Sequence, residues 1–195
     1  LAMEILLFAS VSVLMGTLSV EASASHQIAI NVAATLFMIP FGLSMAITQR
    51  VGFSIGQGSL SKARLRGFIG IGMCASIMTL TAVMLFSIPE TIIGIYTDDP
   101  LVSKMSVSLL FMAGLFQISD GLQVGGFGAL RGLKDTRTPM IVNFIAYWLI
   151  GFPIGYYLGI ISDFGPEGLW IGLISGLSVA AILHNFRFHI LTAVD

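Results

Sequence analysis

Six apolar stretches dominate this chain: Leu1–Val20, Ile28–Gln49, Phe68–Ile88, Val107–Gly128, Met140–Ile161 and Leu169–Leu191. At ~1.5 Å rise per residue, each is long enough as a helix to cross a hydrocarbon core ~30 Å thick. Lipid leaves only helices and closed barrels as spanning structures, because every backbone polar group must find its partner within the protein. The ten-residue polar–apolar alternation of barrel strands is absent. The stretches therefore read as six transmembrane helices joined by short loops, an all-α membrane protein. Composition agrees: 56% of residues are hydrophobic and 10% charged, far from the mixed surface a soluble domain carries. A net charge of −1 gives nucleic acid or another polyanion nothing to bind. The single cysteine, Cys74, lies inside the third stretch, excludes an internal disulfide and reads as a small buried apolar residue.

Orientation follows from the basic residues. Arg50, Lys62, Arg64 and Arg66 flank the second loop, Arg131, Lys134 and Arg137 fill the fourth, and Arg187 lies near the C-terminus. The remaining loops hold only Lys104 among basic residues, alongside Glu21, Glu90, Asp98, Asp99, Asp163 and Glu167. The positive-inside rule places loops two and four, and both chain ends, in the cytoplasm. Leu1 is not a methionine, and the first stretch lacks a cytoplasmic flank, so the expectation is the C-terminal part of something longer. An even number of helices lets a second six-helix unit upstream keep the same orientation.

Punctuation supports six spans. Pro89 closes the third, and Thr97-Asp98-Asp99-Pro100 is a turn that opens the fourth. Gly58-Ser59-Leu60-Ser61 reads as a break followed by an N-cap, and Arg131–Pro139 as a compact charged turn that either anchors the topology or has a specific gating role. Gly151, Gly155 and Gly159 recur every fourth residue, as do Gly168, Gly172 and Gly176. Such rows let backbones approach closely in lipid and predict tight packing of the last two helices, on each other or on a third. Gly121, Gly125, Gly126 and Gly128 are expected to thin the helix and leave room for a ligand or a bend. Pro40 and Pro153 are candidate kinks.

Against this background Asp120 stands out, a lone carboxylate deep in the fourth stretch. A charge at membrane depth costs at least ~2.5–3.5 kcal/mol, so the default reading is an ion or proton site. Glu4, in the first stretch, is the only other acid so placed. Glu4 lies 14 residues from Leu18, and Asp120 lies 13 from Val107, or ~21 and ~20 Å along their helices. These lengths allow the two carboxylates one level, give or take several ångströms of helix tilt. Phe8 follows Glu4 by four residues and Phe116 precedes Asp120 by four, spacings that put ring and acid on one helix face. A ring face can hold a cation, although lipid or core contact is the plainer role for a phenylalanine. Gln123 adds an amide to the face of Asp120. Asn31, Asn143 and Tyr147 either line the same cavity or bond between helices. His26, His184 and His189 are too scattered for a metal site and read as interfacial anchors.

Three segments carry a resemblance: Glu21 through Asn31, Arg50 through Gly58, and Asp120-Gly121-Leu122-Gln123 on to Leu130-Arg131-Gly132-Leu133-Lys134-Asp135-Thr136. They resemble the C-terminal half of multidrug and toxic-compound extrusion (MATE) transporters, most closely the NorM-type bacterial branch, along essentially all 195 residues. The resemblance implies that residues 1–195 form one six-helix lobe of a twelve-helix, two-lobed antiporter. Organic cations and drugs would leave across the plasma membrane as Na⁺ or H⁺ enters, with no organic cofactor. Glu4 and Asp120 match the family's cation-site acids, where Na⁺ is the implied metal, and Phe8 falls at a cation–π position. Phe116 stands where some relatives carry tyrosine, which removes an oxygen ligand. The N-terminal lobe is the implied partner. Two readings from other classes compete: an intramembrane enzyme using Glu4 and Asp120 as an acid/base pair, and a non-transporting membrane subunit. No nucleophile–base pair or phosphate-cradling loop supports an enzyme.

Overall fold

A computed structural model describes residues 2–193. Leu1, where the first span was expected to start, lies outside them. The described elements are α1 (Ala2–Leu18), α2 (Val20–Gly56), α3 (Leu60–Ser87), α4 (Pro89–Ile93), α5 (Pro100–Gly132), α6 (Arg137–Ile161) and α7 (Gly165–Leu191). Five of these helices are long and apolar enough to cross a membrane, and Met3–Leu18 is a shorter apolar helix. The protein is an all-helical, multi-pass membrane protein. Val13, Val20, Leu80 and Ile95 are each at least 70% exposed, as side chains that face lipid must be.

Helix ends differ from the sequence expectation in a consistent direction: helices run on where loops were expected. Between α1 and α2 only Ser19 leaves the helix, with extended backbone, and its side chain accepts a hydrogen bond from the Ala22 N–H at 3.0 Å. This is an N-cap, with Glu21 in the first turn favoured by the helix dipole. The expected first loop is therefore helix, held by buried Ala22, Ser25 and His26 and by the Ser25 hydroxyl donating to the Val102 carbonyl at 3.1 Å. At 37 residues α2 is ~55 Å long and exceeds the hydrocarbon core. At its other end the turn shrinks to Gln57–Ser59, with Gly58 at φ 71. Arg50, Lys62, Arg64 and Arg66 ride on helical turns rather than in a loop. Ser59 occupies the N-cap position of α3, but its side chain caps no backbone N–H. Pro89 opens the short α4, while Asp99 caps α5 as expected, its carboxylate accepting from the Leu101 and Val102 N–H groups at 2.8 and 3.1 Å.

At the centre of the bundle is α5, packed against α2, α3 and α7. Its glycines serve this packing, not a ligand. Gly121 and Gly125 face the backbone of α3 at Cys74 and Ile71, Gly126 faces Asn185 of α7, and Gly128 faces Ser44 of α2. A Cβ at Gly128 would stand 2.6 Å from the Ser44 carbonyl oxygen. The room predicted beside Asp120 is filled by neighbouring helices on these three sides. Pro40 sits within an uninterrupted α2, and its carbonyl accepts from the Cys74 thiol at 3.8 Å.

Both glycine rows meet each other. Gly151, Gly155 and Gly159 of α6 lie against Gly168, Gly172 and Gly176 of α7, and a Cβ on Gly168 would come within 2.6 Å of the Gly159 nitrogen. α6 itself widens into π-helical turns at Ile145–Gly151 and Tyr157–Ile161, on either side of Pro153. Pro153 withholds an N–H from the regular ladder, and such wide turns often mark functional positions. The first of them carries Tyr147 inward, where it is buried.

A candidate cation site between two apolar clusters

Two apolar clusters divide the interior. One gathers Leu110, Ala113 and Phe116 of α5 with Tyr147, Trp170 and Leu177. The other gathers Ala129 and Leu130 of α5 with Ile47, Ile71 and Phe188. Between Phe116 and Ala129, α5 buries Gln117, Asp120 and Gln123. Gln117 is held at one end only, its side-chain oxygen accepting from the Thr81 hydroxyl at 2.7 Å while its amide nitrogen has no partner among the described residues. Asp120 is the one ionisable group among the three. It is 4% exposed, and its buried Oδ1 has no hydrogen-bond partner among the described residues. A buried carboxylate without donors is sustained only by a proton or a cation.

Asp120 opens on a cavity of about 270 Å³ that it shares with Glu4 of α1. Phe8 and Phe116 line it too, as do Ile30 and Phe37 of α2 and Trp170 of α7. The Phe8 and Phe116 rings meet edge-on with centroids 5.7 Å apart, and Phe116 meets Trp170 the same way at 5.9 Å. The walls thus offer ring edges and faces and two carboxyl groups, with no lysine or arginine among the lining residues. The volume approaches the lower end of small-molecule pockets, ~300 Å³. Chemically, the site can hold a proton, a small metal cation or a compact organic cation.

Of the expected lining residues, Phe8 and Phe116 face this cavity, whereas Gln123 and Asn143 face a second one, of about 170 Å³, that also reaches Glu4. Tyr147 lies one layer behind, accepting a hydrogen bond from the Gln123 amide at 3.1 Å. Asn31 belongs elsewhere. It is exposed, and its side-chain oxygen accepts at 2.9 Å from the hydroxyl of Tyr96, which lies in the turn between α4 and α5, a helix-to-turn bond that differs from both expected readings. The histidines correct the interfacial reading for two of three. His26 is 1% exposed, 3.1 Å from the Ser12 hydroxyl and edge-on to Trp170, and His184 is fully buried. Only His189 is exposed, against the Arg64 guanidinium. Trp170 and Arg131, which the sequence reading passed over or assigned to a turn, line the cavities. Their signal was weak: one of two tryptophans in the chain, and an arginine four residues beyond Phe127.

The MatE family profile matches residues 1–157. The chain belongs to this family. Over 195 residues it is 43% identical to "Multidrug resistance protein NorM" of Burkholderia vietnamiensis, covering 97% of this chain and 42% of that protein. It is 44% identical over 188 residues to "Multidrug resistance protein MdtK" of Yersinia enterocolitica, covering 94% and 41%. The chain therefore spans about two fifths of the length of the curated relatives it matches. The fold is similar to that of the eukaryotic MATE transporter AtDTX14, with a TM-score of 0.88 at 23% identity over 98% of this chain and 43% of that one. It is also similar to an outward-facing multidrug resistance MATE transporter, with a TM-score of 0.87 at 16% identity over 98% and 42%. Both of these structures are named as transporters, and both curated relatives as multidrug resistance proteins.

Proposed function

We propose that this chain is the C-terminal lobe of a cation-coupled multidrug exporter, in which Asp120 and Glu4 exchange an inward-moving H⁺ or Na⁺ for an outgoing organic cation. One observation carries the reading: two acids on different helices share one apolar, aromatic-lined cavity, and the buried oxygen of Asp120 has no donor among the described residues. A cation entering that cavity replaces the missing hydrogen bonds. The cavity cannot stabilise a drug cation and a coupling ion on the same charge at once, and that competition is what makes exchange obligatory. With Phe116 at the ring position, that side chain offers a Na⁺ no oxygen ligand, while a proton needs only Asp120 or Glu4. The names of the NorM and MdtK relatives support drugs as the cargo. The basic helix ends support a topology with both chain ends in the cytoplasm, and an N-terminal lobe would form the other wall of the cleft.

Asp120→Asn in the full-length transporter tests this. The variant is expected to insert at parental level and lose gradient-driven efflux of a cationic dye. Parental efflux by the variant at equal expression sinks the proposal.

A further inference from the structure

Along α5 a single stripe runs from the acid site to the basic end of the bundle. Asp120, Gln123, Phe127 and Arg131 follow one another at helical spacings of three or four residues. The first lines the larger cavity, and the other three line the smaller one. Glu4 borders both. From Gln123 to Arg131 is ~12 Å along the helix. The wall opposite carries Asn143, which is 6% exposed and whose buried side-chain oxygen has no partner among the described residues. Arg131 is exposed, makes no ion pair among the described residues, and lays its guanidinium carbon 5.6 Å from the centroid of the Phe127 ring.

We propose that this second cavity is the inner route of the coupling cation, leading from Glu4 past Asn143 to the cytoplasm, and that Arg131 is the specificity-determining residue at its mouth. The chemistry follows from charge and hydrogen bonding. The free Asn143 oxygen offers a halfway acceptor to a hydrated cation leaving Glu4. The Arg131 charge at the exit lowers the residence of any cation there, so an ion released from Glu4 is passed on to water rather than held. Stacking on Phe127 keeps the guanidinium beside the path instead of across it. The same charge discourages bulky organic cations from entering this branch, leaving them the larger cavity.

This inference rests on Glu4 exchanging the coupling ion, but its test reads accessibility, not efflux. Asn143→Cys and Val124→Cys, reporters on two different helices lining the route, are placed singly in the full-length transporter from which Cys74 and any cysteine outside this chain have been replaced by alanine. Inside-out vesicles then receive a membrane-impermeant thiosulfonate, cationic or anionic, on the cytoplasmic face. Both reporters are expected to be labelled from that face, the anionic reagent reacting faster. Arg131→Gln should shift the ratio of anionic to cationic rates by about five- to tenfold toward the cation, and Arg131→Lys should preserve it. Labelling from the outer face only, no labelling of either reporter, or a ratio unmoved by Arg131→Gln overturns the route. Should one reporter fail to reach the membrane, the other decides. Labelled reporters together with normal efflux by Asp120→Asn would instead remove Asp120 from the coupling reading and leave the route from Glu4 standing.

Discussion

At the level of single residues, the two acids differ in surroundings although they share a cavity. Asp120 is enclosed by α5 and its neighbours, whereas Glu4 is half-buried on the peripheral α1 and borders both cavities. If they act as one exchanging unit, the loss in Glu4→Gln/Asp120→Asn should be no greater than that of the more damaging single variant, because residues sharing one site are not additive. Dye efflux rates from the four proteins measure it, and losses that multiply independently would assign the acids to separate sites. Asp135 makes a second residue-scale case, outside the spans. Burial alone would raise its pKa, but hydrogen bonds from Thr138 and Arg187, with the Arg187 charge, outweigh this and hold it below the ordinary 3.8. Its carboxylate accepts from the Arg187 guanidinium at 3.1 Å and from the Thr138 N–H at 3.3 Å. A folded pKa below the unfolded one means that the stabilisation is present above about pH 4 and is lost as pH falls through the folded value. Arg187 is partly exposed, so the pair contributes at most ~1 kcal/mol. Asp135→Asn should lower thermal stability slightly at pH 7, with the difference from the parent vanishing at the acid end of a pH series.

Among the helices, the seam between α6 and α7 is the least forgiving. A Cβ on Gly172 would meet the Gly155 Cα and nitrogen and the Gly151 carbonyl oxygen, all backbone atoms that cannot rotate away. Gly172→Ala is expected to destabilise by ~1–3 kcal/mol, read as a drop of several degrees in the melting temperature of the detergent-solubilised transporter. Gly72 is the contrast. It is an exposed α3 glycine with nothing within 4 Å of an added Cβ, so Gly72→Ala should be neutral or stabilising by up to ~1 kcal/mol through helix propensity alone. Equal losses from both variants would show that the glycine row is not a packing device. The contact of the two rows was legible in their four-residue spacing, since small residues are what close helix approach in lipid requires. The π-helical turns of α6 were not, because the departure from regular winding is set by how α6 must sit against α7, and Pro153 alone signals a kink without its form.

For the molecule as a whole, alternating access requires one lobe to rock against another around a shared cavity. This chain expressed alone should insert, since hydropathy and basic residues specify the spans, yet show no drug efflux. Co-expression with an N-terminal lobe should restore it. Vesicles holding only this chain, loaded with a fluorescent organic cation and given an inward Na⁺ or proton gradient, provide the check. Saturable, gradient-dependent release that disappears in Asp120→Asn would mean that the lobe suffices by itself.

Hydropathy, charge placement and residue period are properties of the chain read in one dimension, and lipid makes them decisive. They specified the all-helical class and the apolar helices, five of them long enough to span and Met3–Leu18 shorter, and they singled out Asp120 and Glu4, because an acid among apolar residues is conspicuous wherever the helix lies. Rotation and neighbours are not encoded that way. Tertiary packing alone turned Asn31 outward to Tyr96, buried His26 and His184, filled the glycine faces of α5 with neighbouring helices, and placed Arg131 in the lining of a cavity. Each of these outcomes depends on which helix lies opposite, a three-dimensional choice settled by close packing between elements distant in sequence.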